Sequence, residues 1–579
     1  MKKAKRRESK SPPPKPVQAP WTLRPWHLAL AAIAAIVVAL EVYGPALNGP
    51  FVFDDEYLPF ALADFDLKTI FEMIQAIRPA LMVNFWLNYH LSGMNPYSYH
   101  LFNVLMHLGS AFLVFSIARR LLGRFEADEQ RRAILSGFAA GLFLLHPLQT
   151  ESVAYIASRS ESLSVLLAYG ALAVFLGQGE RGITWLRSAA ILVLFGLACL
   201  TKEHVAVLPL VLVLTDYYWH PGFSFSGLKR NWRLYVPMTA GAIAGGAFVL
   251  NVLRRADTAG FGLKDLPWYE YFYTQWRAIW VYLRMFLIPY DQNVDHEFLI
   301  SHTPWEHGAI VCLVALLGLA AVAFLLRRKY PLASYGILVF FILIAPTSSV
   351  VPIRDTLVER RFYLPSIGIL LALVDLFRLW PAKKSVLATA TAAVLVVFSL
   401  MTWDRNHVWG SSEALWRDAA SKAPNKGRAH SQLALAIYNQ GRCADSLPEF
   451  EKAIRLDPGE YRALINYGLA LDCVNRPDDA LRAFQQAAAA RPAGYPYALM
   501  GMIYGKQGRR LESMQAIEKS IKIEPNNDLA YLYRGNLYMV SKEFDKAMAD
   551  YQWALKLNPR NELARAAVTR LQQSPPRAQ

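Results

Sequence analysis

Between residues 26 and 402 the chain is a succession of apolar runs separated by short polar segments. Runs at about 26–46, 101–122, 133–146, 162–177, 185–200, 204–219, 234–252, 308–326, 332–346, 363–380 and 385–402 are long enough, or nearly so, to cross about 30 Å of hydrocarbon. The pattern therefore predicts eleven helical spans. A twelfth stretch, about 269–289, is aromatic and carries Arg277 and Arg284, and reads as a helix lying in the membrane interface. Loop charge decides against its crossing. With eleven spans, the N-terminal tail and the clusters 119–132, 181–187, 229–233, 327–329 and 383–384 all fall on the cytoplasmic side, as Lys and Arg in short loops require. Loops 47–100, 146–161, 201–203, 253–307 and 347–362 then share the outer face, together with the C-terminus.

Two outward runs are too short to finish the crossing. Ala133 to Leu145 rises only about 20 Å before His146-Pro147, and Leu332 to Ala345 is similar before Pro346. Irregular backbone at that depth is tolerated where it is buried in protein or lines a water-filled cavity. An outward-facing polar cavity is expected, walled by 146–161 and 347–361.

Beyond residue 404 the pattern changes to that of a soluble helical repeat. Prolines 424, 458, 492, 525 and 559 are spaced 34, 34, 33 and 34 residues apart, the tetratricopeptide period. Small residues recur where paired helices must touch, at Ala434, Gly468, Gly501 and Gly535. Second helices carry Phe450, Phe484 and Tyr551, followed by Ala453, Ala487 and Ala554. Ser411 to Ala423 fits the second helix of a half-repeat whose first helix coincides with the last span, so the solenoid starts directly off the membrane. The fold class is all-α: a polytopic helical bundle followed by an α-solenoid. The expected division is a basic cytoplasmic tail (1–24), a membrane domain (25–404), a solenoid with half-repeat, four repeats and cap helix (405–573), and a short tail (574–579).

Composition sharpens this picture. The chain is 54% apolar and 13% aromatic, with a formal charge of +16. Its bases sit in short clusters between apolar runs, which is membrane topology rather than a nucleic-acid surface. Cys199 and Cys312 lie in apolar runs as small hydrophobes. Cys443 and Cys473 fall near facing helix ends of adjacent repeats, where an outer compartment permits a disulfide; two buried thiols are the alternative.

Several motifs recur in an order that identifies a family. Arg78-Pro79, Asn95-Pro96, His100 to Asn103, His107, His146 to Ala154, Ser158-Arg159-Ser160, Thr201-Lys202-Glu203, Glu359-Arg360 and Tyr363 to Ser366 resemble the transmembrane and tetratricopeptide-repeat mannosyltransferases, along nearly the whole chain. The resemblance implies a GT-C glycosyltransferase that moves a sugar from a polyprenyl-phosphate donor to a protein hydroxyl on the outer face. Known members are eukaryotic and use dolichyl-phosphate mannose on serine or threonine. The chain departs from them in having fewer repeats than is typical; it also contains no Asn-x-Ser/Thr sequon, which points to a bacterial member, placed in the inner membrane with its repeats in the periplasm.

That chemistry needs a base for the incoming proton and positive groups for the departing phosphate. The adjacent acids Asp54-Asp55 stand where the first span ends, and the resemblance makes this first-loop motif the catalytic one. Asp54 is favoured as base, with Asp55 orienting; the bland alternative is a pair of hydrated loop acids. Arg78, Arg159, Lys202, Arg360 and Arg361 are candidates for the donor phosphate, because cations at membrane depth are costly without a partner. Local pairing competes with that role: Lys202 with Glu203, Arg159 with Glu161, Arg360 with Glu359. His146, Glu151, Glu203 and Glu359 complete the candidate site, although a lone histidine such as His146 is more often a packing residue. Asp54-Asp55, Glu151 and Glu203 could supply a divalent-cation site, but their spacing demands none, and no metal or cofactor is expected. Expected partners are the lipid-linked sugar, an acceptor protein or peptide in the repeat groove, and membrane lipids, but no nucleic acid. Two other readings remain: an en bloc oligosaccharide transferase using a polyprenyl diphosphate, and a non-enzymatic scaffold anchored by its spans.

Overall fold

A computed structural model describes residues 22–61, 66–74, 78–178, 182–220, 222–253 and 260–573. The basic head at 2–7, Arg181 and the tail 574–579 lie outside the described residues. Those described form helices and no strand. Each of the eleven apolar runs is helical, from Pro25–Tyr43 to Lys384–Val408. Among the described residues, five helices suffice by length and composition to cross a membrane: Pro25–Ala46, Pro96–Leu122, Ile156–Leu176, Glu306–Leu325 and Lys384–Val408. Glu129–Leu145 and Pro147–Ala154 make a sixth span if taken as one, bent by 50° at the break expected before Pro147. Trp185–Thr201 and Pro331–Ile344 are shorter apolar helices, the second ending before Pro346 as expected.

Caps fix where these helices start. Asn95 accepts the Tyr97 amide at 3.1 Å ahead of Pro96, and Asp128 accepts the Arg131 amide at 3.0 Å. Inside the bundle, close approach replaces hydrophobic driving force. A Cβ on Gly336 would meet the Gly368 carbonyl at 2.3 Å, so Pro331–Ile344 and Ser366–Leu379 touch backbone to backbone. Polar pairs add to this, with Tyr335 to Thr215 at 2.8 Å and Tyr218 to Ser334 at 2.6 Å. The aromatic stretch is the helix Trp268–Leu287, with Tyr271, Gln275, Ile279 and Tyr282 among its buried residues.

The solenoid follows as paired helices from Gly427–Tyr438 to Phe544–Leu557, with Glu562–Gln573 as the last. Small positions face the partner helix: a Cβ on Gly468 would meet Phe484 at 2.4 Å. Cys443 and Cys473 form a disulfide. The half-repeat helix Ser412–Lys422 leads straight from the last span, and its neighbour Gly427–Tyr438 is fastened to the loops beneath it. Arg428 reaches Asp295 at 2.7 Å through Nε and Asp355 at 2.8 Å through Nη2. Lys426 adds a 2.6 Å ion pair to Asp295, and Lys422 donates to the Gln292 carbonyl at 2.8 Å.

Candidate functional site

The acid pair divides into two unlike carboxylates. Asp55 is 1% exposed. Its two oxygens accept the Val52 amide at 3.0 Å and the Ala157 amide at 2.7 Å, tying the first loop to the turn before Arg159. Burial pushes Asp55 up to about 8, against those two amides and the more distant Arg159 charge. Asp54 is exposed, and its carboxylate has no hydrogen bond or ion pair among the described residues. Its own amide donates to the Tyr155 hydroxyl at 3.1 Å. Phe53, just before it, holds φ at 54°, a left-handed conformation a phenylalanine rarely adopts. Packing enforces that conformation: the Phe53 ring lies 4.4 Å from Trp416 of the half-repeat and 5.6 Å from Tyr155.

Three cations form the other side of the site, each on a carboxylate far away in sequence. Arg78 grips Glu203 with two hydrogen bonds, 3.1 and 2.8 Å. Lys202 pairs with the buried Glu161, whose second oxygen lies 3.3 Å from His204. Arg360 pairs with the buried Glu151, which also accepts the Arg360 amide at 2.9 Å. Arg78, Lys202 and Arg360 lie near enough for their charges to act on one another. Burial works against the Glu203 charge, but Arg78 and Lys202 outweigh it and hold the carboxyl down at about 2. The local pairs weighed from sequence are replaced throughout, because the fold brings these loops together more closely than neighbours on one turn can bend.

Tyr155 joins the two sides. Its hydroxyl holds the Asp54 amide, while the Arg360 guanidinium lies 5.6 Å from its ring centroid. Sequence reading passed over this residue, whose only signal was its place between two motifs.

The remaining candidates are held by protein groups. Arg159 is fully buried and donates to Asn103 at 2.9 Å, Asn84 at 3.2 Å and the Tyr99 carbonyl at 2.8 Å, with the Phe85 ring 4.6 Å away. Three of its five N–H donors are thus engaged by protein groups. Arg361 is likewise occupied, by the Tyr271 hydroxyl and the Thr356 carbonyl, each at 3.2 Å, and by the Asp355 carbonyl. Glu359 accepts the Asn293 amide at 2.6 Å and faces His296 at 3.0 Å, which fixes the loop before Arg360. His146 is buried against Phe286 with ring centroids 4.5 Å apart. It accepts the Leu148 amide at 3.1 Å and donates to the Phe286 carbonyl at 2.7 Å, so it caps the broken span. Among the described residues no three His, Cys, Asp or Glu are grouped to hold a metal ion.

Tetratricopeptide-repeat family models match residues 408–461, 431–496, 495–527 and 529–561. Over a longer span, the human Protein O-mannosyl-transferase TMTC3 is 24% identical, covering 92% of this chain and 65% of its own length. The chain is similar to the protein O-mannosyl-transferases. Human TMTC4 is 26% identical over 70% of this chain and 63% of its own, and Protein O-mannosyl-transferase F38B6.6 of Caenorhabditis elegans 24% identical over 73% and 62%. The chain thus spans less than two thirds of the length of these relatives. Solved structures similar to a part of it include a crystal structure of MamA, with 22% identity over 26% of this chain and 88% of that one, at a TM-score of 0.23. Another is YrrB, described as a TPR protein with an unusual peptide-binding site, with 18% identity over 31% of this chain and 89% of that one, at a TM-score of 0.23. The match to the O-mannosyl-transferases runs through both the bundle that carries the acid loop and the repeats above it.

Proposed function

We propose that this chain is a membrane glycosyltransferase that moves a hexose, mannose by likeness to its relatives, from a polyprenyl-phosphate donor to a protein hydroxyl. The observation that supports the reading is Tyr155, whose hydroxyl accepts the amide of the exposed Asp54 while its ring faces Arg360, one of three mutually interacting cations. In the reaction, the acceptor oxygen forms its bond to the sugar's anomeric carbon as that carbon's bond to the phosphate oxygen breaks. Asp54 takes the hydroxyl proton. Arg78, Lys202 and Arg360 meet the negative charge that grows on the departing lipid phosphate. Their carboxylate partners keep the three cations together before the donor arrives, and exchanging a carboxylate contact for a phosphate one leaves each cation paired.

Asp55 positions Asp54 rather than sharing its work, since both of its oxygens are committed to backbone amides. The repeats engage the acceptor, and their fastening to the outer loops through Arg428 holds it over Asp54. The site and the repeats stand on the non-cytoplasmic face. Full-length protein in vesicles, given labelled polyprenyl-phosphate mannose and a serine- and threonine-rich peptide, is expected to label the peptide. A donor linked through diphosphate used in its place would favour en bloc transfer. Capture of the peptide without transfer from any lipid-linked sugar would leave a scaffold.

A further inference from the structure

The end of the Pro96–Leu122 helix remote from Asp54 carries a charged cavity of about 550 Å³. Leu28 of the first span, Phe112 and Phe115 give it apolar walls. Leu28 and Phe112 are exposed, at 39% and 62%. Roughly two helical turns further along stand Arg119, Arg120 and Arg124, with Arg132 from the next helix closing the site.

These four guanidinium groups have little negative charge to meet. Glu129 pairs with both Arg119 and Arg132. The other acids of the loop are engaged elsewhere, Glu126 with Arg131 and Asp128 with Lys384. Arg120 bonds the Ala173 carbonyl, and Arg124 bonds the Trp219 carbonyl and the His220 ring; neither pairs with a carboxylate among the described residues. Arg119 Nη1 and Arg132 Nε are buried with no hydrogen-bond partner among the described residues. Residues 2–8, upstream of the first span, contain five bases and one acid, so the preceding segment does not supply the missing charge.

We propose that this cavity binds the phosphate headgroup of an anionic phospholipid. Forked donors on several arginines match phosphate oxygens, and basic pockets between spans are suited to such headgroups. The apolar walls at Phe112 and Phe115 continue from the charged end along the span, where acyl chains run. A free phosphate ion would use the arginines and leave that surface uncovered.

The test uses the full chain in mild detergent, incubated with phosphatidylglycerol or phosphatidylcholine and followed by native mass spectrometry. Wild type is expected to retain phosphatidylglycerol in preference. Ser116→Glu, which sets a carboxylate inside the cavity without removing an arginine, is expected to cut that retention about tenfold, as loss of one charged contact would. Arg132→Gln serves the same purpose should Ser116→Glu fail to fold, and Lys383→Gln, a base outside the cavity, should change nothing. Equal retention of the two lipids, or Ser116→Glu and Arg132→Gln both matching wild type, overturns the proposal. So does inorganic phosphate that displaces phosphatidylglycerol completely.

Discussion

Replacing Arg428 with alanine should loosen the solenoid from the loops that carry the site. Arg428 contributes bonds to Asp295, which is 1% exposed, and to Asp355. Removing one partner of a buried pair costs about 3–5 kcal/mol when the remaining charge is stranded. Here Lys426 still neutralises Asp295, and the Arg428 side chain is 43% exposed, so solvent has already weakened the pair. A cost of about 2 kcal/mol follows, or roughly thirtyfold in the opening equilibrium of the docked loop. Hydrogen exchange on the full chain reads this at the Asn293 and Asp295 amides, which are bonded to Glu359 and to the Asn293 side chain. Both should exchange about thirtyfold faster, and the amides of Phe544–Leu557 should not change. Protection at Asn293 within twofold of wild type, roughly 0.4 kcal/mol, would refute the clamp.

Three more outcomes follow. Reducing Cys443–Cys473, or making Cys443→Ser, releases a loop of 30 residues and should destabilise the solenoid by about 3.6 kcal/mol, read by thermal unfolding with and without reductant. Gly336→Leu drives a side chain into the Gly368 carbonyl and should abolish a folded, monodisperse protein, whereas Gly137→Ala, with open space around it, should be tolerated. Asp55 has a folded value raised to about 8 from an ordinary 3.8. Its neutral form is the one that burial favours, so its contribution is complete at low pH and is lost as pH rises through 8. Thermal stability of the full chain should therefore decline between about pH 4 and pH 8 and level off above, and Asp55→Asn should flatten that slope.

Much of the architecture is legible because it is periodic. Apolar runs of membrane length and prolines at the repeat period are local signals, and both survive into the fold as helices where expected. His146-Pro147 was equally readable, since proline stops a helix whatever surrounds it. Partnership is not local. Arg360 finds Glu151 across 209 residues and Arg78 finds Glu203 across 125, while the adjacent acids turn to other tasks. Asp54 and Asp55 look alike in sequence, and only the turn at Ala157 makes one buried and leaves the other exposed. Trp416 reads as a repeat residue, yet its ring holds the acid loop in place.

The proposed division of labour between the two acids is tested most directly by transfer kinetics of Asp54→Asn in the reconstituted full chain. Loss of a general base should lower kcat by about a hundredfold or more, while the KM for the lipid-linked donor stays near that of wild type, because the cations proposed to hold the phosphate are untouched. An Asp54→Asn enzyme that keeps its kcat within about threefold of wild type, well short of what a lost base removes, would contradict the assignment.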